Sequence, residues 1–82
     1  MSKFIKFGNG YLRKKSIIAI HLQKEYIDKN YIQITTNELT SIQFIGSGGF
    51  GNVKYNIEYG EKKLEAENYF NDLIKELEND DS

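Results

Sequence analysis

Apolar and polar positions alternate along most of the chain, and this period of two predicts half-buried β-strands. The clearest alternation places Val53, Tyr55, Ile57 and Tyr59 on one side of "NVKYNIEY" (52–59). An Asn-Gly pair next to short apolar runs indicates a hairpin near the N-terminus. The other predicted strands are "KFIKF" (3–7), "YLR" (11–13), "SIIAIHLQKE" (16–25), "YIQITT" (31–36) and "IQFI" (42–45), with a connection at "YIDKN" (26–30) and a turn at "NELTS" (37–41).

The period changes after Gly60, where "EKKLEAENYFNDLIKELE" (61–78) repeats apolar residues at helical spacing. Its stripe consists of Ala66, Phe70, Leu73 and Leu77. We therefore predict an α+β fold, in which a small antiparallel β-meander of five or six strands packs against one C-terminal amphipathic helix. Residues 1–78 form the single domain in this prediction, and residues 79–82 form a flexible acidic tail.

The segment "IGSGGFGNV" (45–53) has the glycine spacing of a nucleotide-binding loop and resembles the glycine-rich loop of protein kinases over nine residues. No kinase catalytic motif follows, and a predicted strand stands where a dinucleotide fold needs a helix. We expect a glycine-rich hairpin instead. The alternative is a mobile flap that binds a small anion or nucleotide, with candidate residues Gly46, Ser47, Gly48, Gly49, Phe50, Gly51 and Lys54.

Composition argues against an enzyme. The 82 residues contain no cysteine and a single histidine, His21, so thiol chemistry and a metal cluster of cysteine and histidine lack their ligands. Asp72 and Glu76 lie one helical turn apart, but two carboxylates on an exposed helix are too few for calcium. We expect no catalytic residue, no metal and no cofactor.

The net charge is −1, yet residues 1–35 carry seven Lys or Arg against two acids, and residues 61–82 carry three against eight. The two ends either neutralise each other in the fold or offer faces of opposite sign. The basic end mixes cations with aromatics, as surfaces for nucleic acid do, with candidates Lys3, Lys6, Tyr11, Arg13, Lys14 and Lys15. The acidic helix offers Glu65, Asp72 and Glu76 to a basic protein partner.

Four apolar residues fall out of phase with the predicted core, which indicates uncovered apolar surface and self-association: Phe4, Ile17, Tyr31 and Ile45. Lysine outnumbers arginine ten to one, as AT-rich codons supply, which favours a low-GC bacterium or its phage. We expect a cytoplasmic, non-membrane, non-enzymatic binding module, a phage or mobile-element protein that forms a homo-oligomer. It would inhibit a host defence protein or sequester a small anionic ligand. The alternative is a nucleic-acid-binding regulator that uses the basic N-terminal hairpin.

Overall fold

The computed structural model describes residues 3–44 and 46–79. Within these ranges the chain forms five strands and one α-helix, namely β1 (Phe4–Phe7), β2 (Gly10–Arg13), β3 (Ile17–Tyr26), β4 (Lys29–Phe44), β5 (Ser47–Gly60) and α1 (Lys63–Glu78). The strands pair antiparallel in two sheets, β1-β2 and β3-β4-β5. An α+β domain with a C-terminal helix packed on antiparallel strands is therefore confirmed.

The single meander sheet expected from the sequence is not what forms in the described residues. A 3-10 turn (Lys14–Ser16) separates β2 from β3, and the first hairpin turns Ile5 and Phe7 onto the core of the larger sheet. Alternation along a strand shows which side chains face the core but not which strand it pairs with, so the sequence pattern did not distinguish one sheet from two packed sheets.

In the second half of the chain, the predicted turn at 37–41 is wrong, and the loop of the glycine-rich hairpin is shorter than expected. β4 continues through the expected turn at 37–41, and a register shift between Thr35 and Leu39 absorbs the extra residues of this strand. The expected glycine-rich hairpin does form between β4 and β5, but its turn is short, because the strands pair as far as Phe44 and Ser47 and most of residues 46–51 are therefore strand. The helix begins at Lys63, two residues later than predicted.

The core lies between one face of the larger sheet and a layer made by the first hairpin and α1. Ile32 and Ile34 of β4 are fully buried at its centre, and Leu73 of α1 packs with them. Burying one such side chain contributes about 1.5–3 kcal/mol. Tyr69 fixes the helix against the first hairpin, because its ring stacks on Phe7 with centroids 6.4 Å apart.

Of the four apolar residues that were predicted to lie out of phase with the core, the three that the structure describes differ from one another in their burial. Ile17 packs partly buried against the core, contrary to expectation, whereas Phe4 is exposed on the first hairpin. Tyr31 is half-buried on the sheet face opposite the core, where its hydroxyl donates to Glu25. Ile45 lies outside the described residues, as do residues 80–82 of the predicted tail. Asn79 donates its backbone N–H to the Lys75 carbonyl at the helix end.

Candidate functional site

The glycine segment predicted to bind an anion is the end of a long hairpin. Gly46 has φ 82° and makes the turn, but Gly48 and Gly49 have no positive φ. In a strand, successive amides point to alternate edges, so those of residues 47–51 do not converge on one ligand as they would in a phosphate-binding nest. Lys54 lies farther along β5, exposed and paired with Thr35. Anion binding at this segment stays a prediction.

The end of this hairpin extends beyond the third strand of the sheet. β3 ends its pairing at Thr36, whereas β4 and β5 continue as a two-stranded ribbon from the Leu39–Asn52 pair to the Phe44–Ser47 pair. At about 3.4 Å per residue, this ribbon is about 17 Å long. We call it the hairpin arm and define it as residues 39–44 and 47–52.

Two side-chain hydrogen bonds, one of them from the buried Thr36, hold the base of the hairpin arm. The Thr36 hydroxyl, with the residue 1% exposed, donates to the Val53 carbonyl at 2.9 Å. The Asn52 amide returns a hydrogen bond to the Thr36 carbonyl at 3.0 Å. These bonds bridge the strands where the regular ladder shifts register, so they replace backbone pairs that the bulge removes.

The two faces of the hairpin arm differ. Strand alternation places Ile42 on the core side, where it packs over Gly51 so closely that a Cβ at that glycine would overlap Ile42 Cδ1. Leu39 and Phe50 share the opposite face as diagonal neighbours across the pair. They are 66% and 78% exposed. This face therefore presents apolar side chains that the fold itself does not cover.

The first hairpin gathers most of the predicted nucleic-acid residues on its outer face. Phe4 pairs with Arg13 and Lys6 pairs with Tyr11, so these four side chains project from the same side, away from the core. The Arg13 guanidinium carbon lies 5.7 Å from the centre of the Phe4 ring, within the range of a cation–π contact. Tyr11 is 69% exposed. We call these four side chains the basic hairpin face.

The remaining basic candidates divide into exposed and engaged side chains. Lys3 and Lys15 are exposed beside the basic hairpin face. Lys14 instead lies 3.6 Å from the Glu76 carboxylate of α1, and its side chain is 12% exposed. Lys14 thus packs against the helix and is a weaker candidate for binding a phosphate of a nucleic acid. Lys24 forms a similar link to Glu67 at 3.2 Å, so part of the basic end is neutralised within the fold.

The acidic candidates lie along the outside of α1. Glu65, Asp72 and Glu76 are exposed and recur at helical spacing, so they share one face of the helix. Glu76 is the residue that pairs with Lys14, which leaves Glu65 and Asp72 as the better candidates for a partner's cations.

The larger sheet's second face is polar and uncovered. His21, Gln33 and Asn56 form a row across its three strands. At one end of this face, Glu25 accepts hydrogen bonds from Lys29 at 2.9 Å and from the Tyr31 hydroxyl at 3.0 Å. The bond from Lys29 is the main cause that lowers the pKa of Glu25 below its ordinary value, and the bond from Tyr31 adds to it.

Metal-ligand clusters, pockets and membrane-spanning helices were considered in the part of the chain that the structure describes. No group of three or more His, Asp or Glu side chains there could hold a metal ion. A shallow depression of about 290 Å³ lies beside the β3–β4 turn, lined by Lys24, Glu25, Tyr26, Ile27, Asn30 and Lys63. No helix in the described ranges is long and apolar enough to cross a membrane.

The sequence reasoning missed the hairpin arm, although a signal for it exists. The fifteen residues from Leu39 to Val53 contain no charged side chain, whereas 28% of the whole chain is charged. Because the cores of protein interfaces are depleted of charged residues, such a stretch is compatible with an interface. Comparison with protein-family models, with curated proteins and with solved structures finds no match to this chain.

Proposed function

We propose that this protein is a non-enzymatic binding module and that its basic hairpin face holds single-stranded nucleic acid. The observation that supports this proposal is the shared orientation of Phe4, Lys6, Tyr11 and Arg13. Bases stack on exposed aromatic rings, and cations beside the rings neutralise the phosphates between them. Lys3 and Lys15 extend the charge at the edge of the same hairpin.

Binding of nucleic acid to the basic hairpin face is partly electrostatic, so the size of its salt dependence can be predicted. Each phosphate neutralised on a single strand contributes about −0.7 to the slope of log affinity against log salt. Four exposed cations, Lys3, Lys6, Arg13 and Lys15, therefore predict a slope of about −2.8. The exposed ring of Tyr11 contributes a stacking term that salt leaves almost unchanged.

Fluorescence anisotropy with a labelled single-stranded oligonucleotide tests this function. We expect Tyr11→Ala to weaken binding about fivefold to 150-fold, since stacking on one aromatic ring is worth about 1–3 kcal/mol. Tyr26→Ala is the matched control, because Tyr26 is equally exposed but lies at the β3–β4 turn. Arg13→Glu should also reduce the salt slope. Equal binding by the Tyr11 and Tyr26 variants, or no binding by the unchanged protein at low salt, would refute this function.

The second candidate function is inhibition of a host protein, in which case this chain would be a phage protein. It is favoured by the exposed acidic row on α1, since Glu65 and Asp72 could occupy a basic groove. A charge-reversed variant, Glu65→Lys with Asp72→Lys, tests it in capture experiments from bacterial lysate. A partner retained by the unchanged chain and lost by this variant supports inhibition through α1. A partner retained equally by both contradicts it.

Sequestration of a small anion is distinguished by a native mass spectrum of the protein purified from cells. A retained mass of nucleotide size, lost on replacement of Gly48 and Gly49 by alanine, would favour the glycine segment over both macromolecular targets. The structure gives these two substitutions little steric cost within one chain, since a Cβ at Gly49 meets nothing within 4 Å. Loss of the ligand would therefore report binding rather than unfolding.

A further inference from the structure

The chain exposes more surface than a compact monomer of its mass. Its accessible area is 6167 Å², and a compact monomer of 9.5 kDa is expected to expose about 5,050 Å². The radius of gyration is 14.4 Å, against about 11.7 Å for a compact domain of 82 residues. The excess of about 1,100 Å² is enough for one side of a standard interface, which covers about 800 Å² per partner.

The strand edges of the hairpin arm lack the residues that usually prevent pairing with other chains. Outer edges of strands in monomeric proteins are commonly guarded by lysine or proline. The chain has no proline, and Leu39 to Val53 contains no charge. A two-stranded hairpin by itself is only marginally stable in water. An arm of this kind therefore gains stability when another surface covers it.

The face that carries Leu39 and Phe50 also has a shape suited to close packing. Gly48 lies on this face beside Phe50, one strand repeat away. It has no positive φ, and the nearest atom to a Cβ built there is the Ile42 carbonyl oxygen at 3.7 Å. The chain's own fold thus does not require glycine at this position, and a glycine inside a strand often marks the close approach of another backbone.

We propose that the hairpin arm is a self-association element, in which a second copy of this chain packs on the face that carries Leu39 and Phe50. A two-fold axis places the Phe50 ring of each copy against the bare strand at Gly48 of the other, so that large meets small on both sides. Because the arm carries no charge, two copies meet without like-charge repulsion. A highly charged partner would find no complementary group there.

Self-association through the hairpin arm does not depend on nucleic-acid binding. The basic hairpin face belongs to β1 and β2, whereas the hairpin arm belongs to β4 and β5. A failure of oligonucleotide binding and a failure of dimerisation are therefore measured with different variants and different assays.

Sedimentation velocity over a wide range of concentrations tests the proposal. We expect a species of twice the 9.5 kDa chain mass that dissociates on dilution. Phe50→Asp should raise the dissociation constant about a thousandfold, because a two-fold interface loses the side chain from both copies. Ile27→Asp is the matched control, since Ile27 is an apolar side chain 93% exposed at the β3–β4 turn. A monomer at every concentration, or equal dimerisation of both variants, would overturn the proposal.

A pair of single-cysteine variants tests which face is buried, and the chain contains no native thiol that would interfere. Ser41 shares the face of Phe50, and its neighbour Thr40 lies on the opposite face. A short bifunctional thiol reagent should join Ser41→Cys chains into covalent dimers and leave Thr40→Cys chains monomeric. Preferential linkage through Thr40→Cys, or equal linkage of both variants, would contradict packing through the Leu39 and Phe50 face. This measurement also serves if Phe50→Asp fails to fold.

Discussion

Replacing Thr36 with valine tests whether buried hydrogen bonds hold the base of the hairpin arm. The substitution keeps the branched shape and removes only the hydroxyl, which is buried and donates to the Val53 carbonyl at 2.9 Å. A lost hydrogen bond costs about 0.5–1.5 kcal/mol, and a buried acceptor left without its donor adds to that cost. The new methyl group offsets a small part. We expect the free energy of unfolding to fall by about 2 kcal/mol.

This loss is large for so small a domain. Eighty-two residues are expected to have a free energy of unfolding of about 4–12 kcal/mol. A change of about 2 kcal/mol lowers the melting temperature of such a domain by about 10 °C. Urea unfolding followed by circular dichroism measures both the midpoint and the slope. The slope should stay constant, because the substitution changes stability and leaves the surface exposed on unfolding unchanged.

Thr35→Val is the matched control, since Thr35 is the preceding residue and lies half-buried on the polar sheet face. It should change the free energy of unfolding by less than about 0.5 kcal/mol. Both variants are compared at one protein concentration, because self-association adds to apparent stability. Equal unfolding midpoints for the two variants would refute the assignment of Thr36 as the anchor of the arm.

Two further predictions concern the hairpin arm and the polar sheet face. Gly49→Ala should stabilise the chain by about 0.4–1 kcal/mol in urea unfolding, because its backbone is ordinary strand, whereas Gly51→Ala should not, since Ile42 must move aside; equal effects of the two would contradict the contact. The pKa of the Glu25 carboxyl is lowered by Lys29, so any stability from this exposed pair is present above the ordinary carboxyl pKa and is lost as pH falls through the lower folded value. Carbon-detected NMR should give a Glu25 midpoint below its ordinary value that rises in Lys29→Met, and an unchanged midpoint in that variant would exclude the ion pair in solution.

The sequence by itself determined the period of each element and therefore the class of fold. The alternation of Val53, Ile57 and Tyr59 and the helical stripe of Ala66 and Leu73 follow from local geometry, since a strand repeats every two residues and a helix every 3.6. The glycines around Asn9 likewise indicated the first hairpin. Its two turn residues are Gly8, with φ 63°, and Asn9, rather than the Asn-Gly pair, because Gly10 already pairs with Phe7 in β2.

The tertiary structure alone decided where long strands continue and which surfaces remain uncovered. Polar residues at 37–41 resemble a turn locally, yet the Thr36 and Asn52 hydrogen bonds from across the hairpin carry β4 through them. Whether an apolar side chain is core or surface likewise depends on partners distant in sequence. Ile17 packs against such partners, whereas Phe50 has none in the core cluster. The reason is that α1 and the first hairpin cover only the three-stranded part of the sheet and not the hairpin arm.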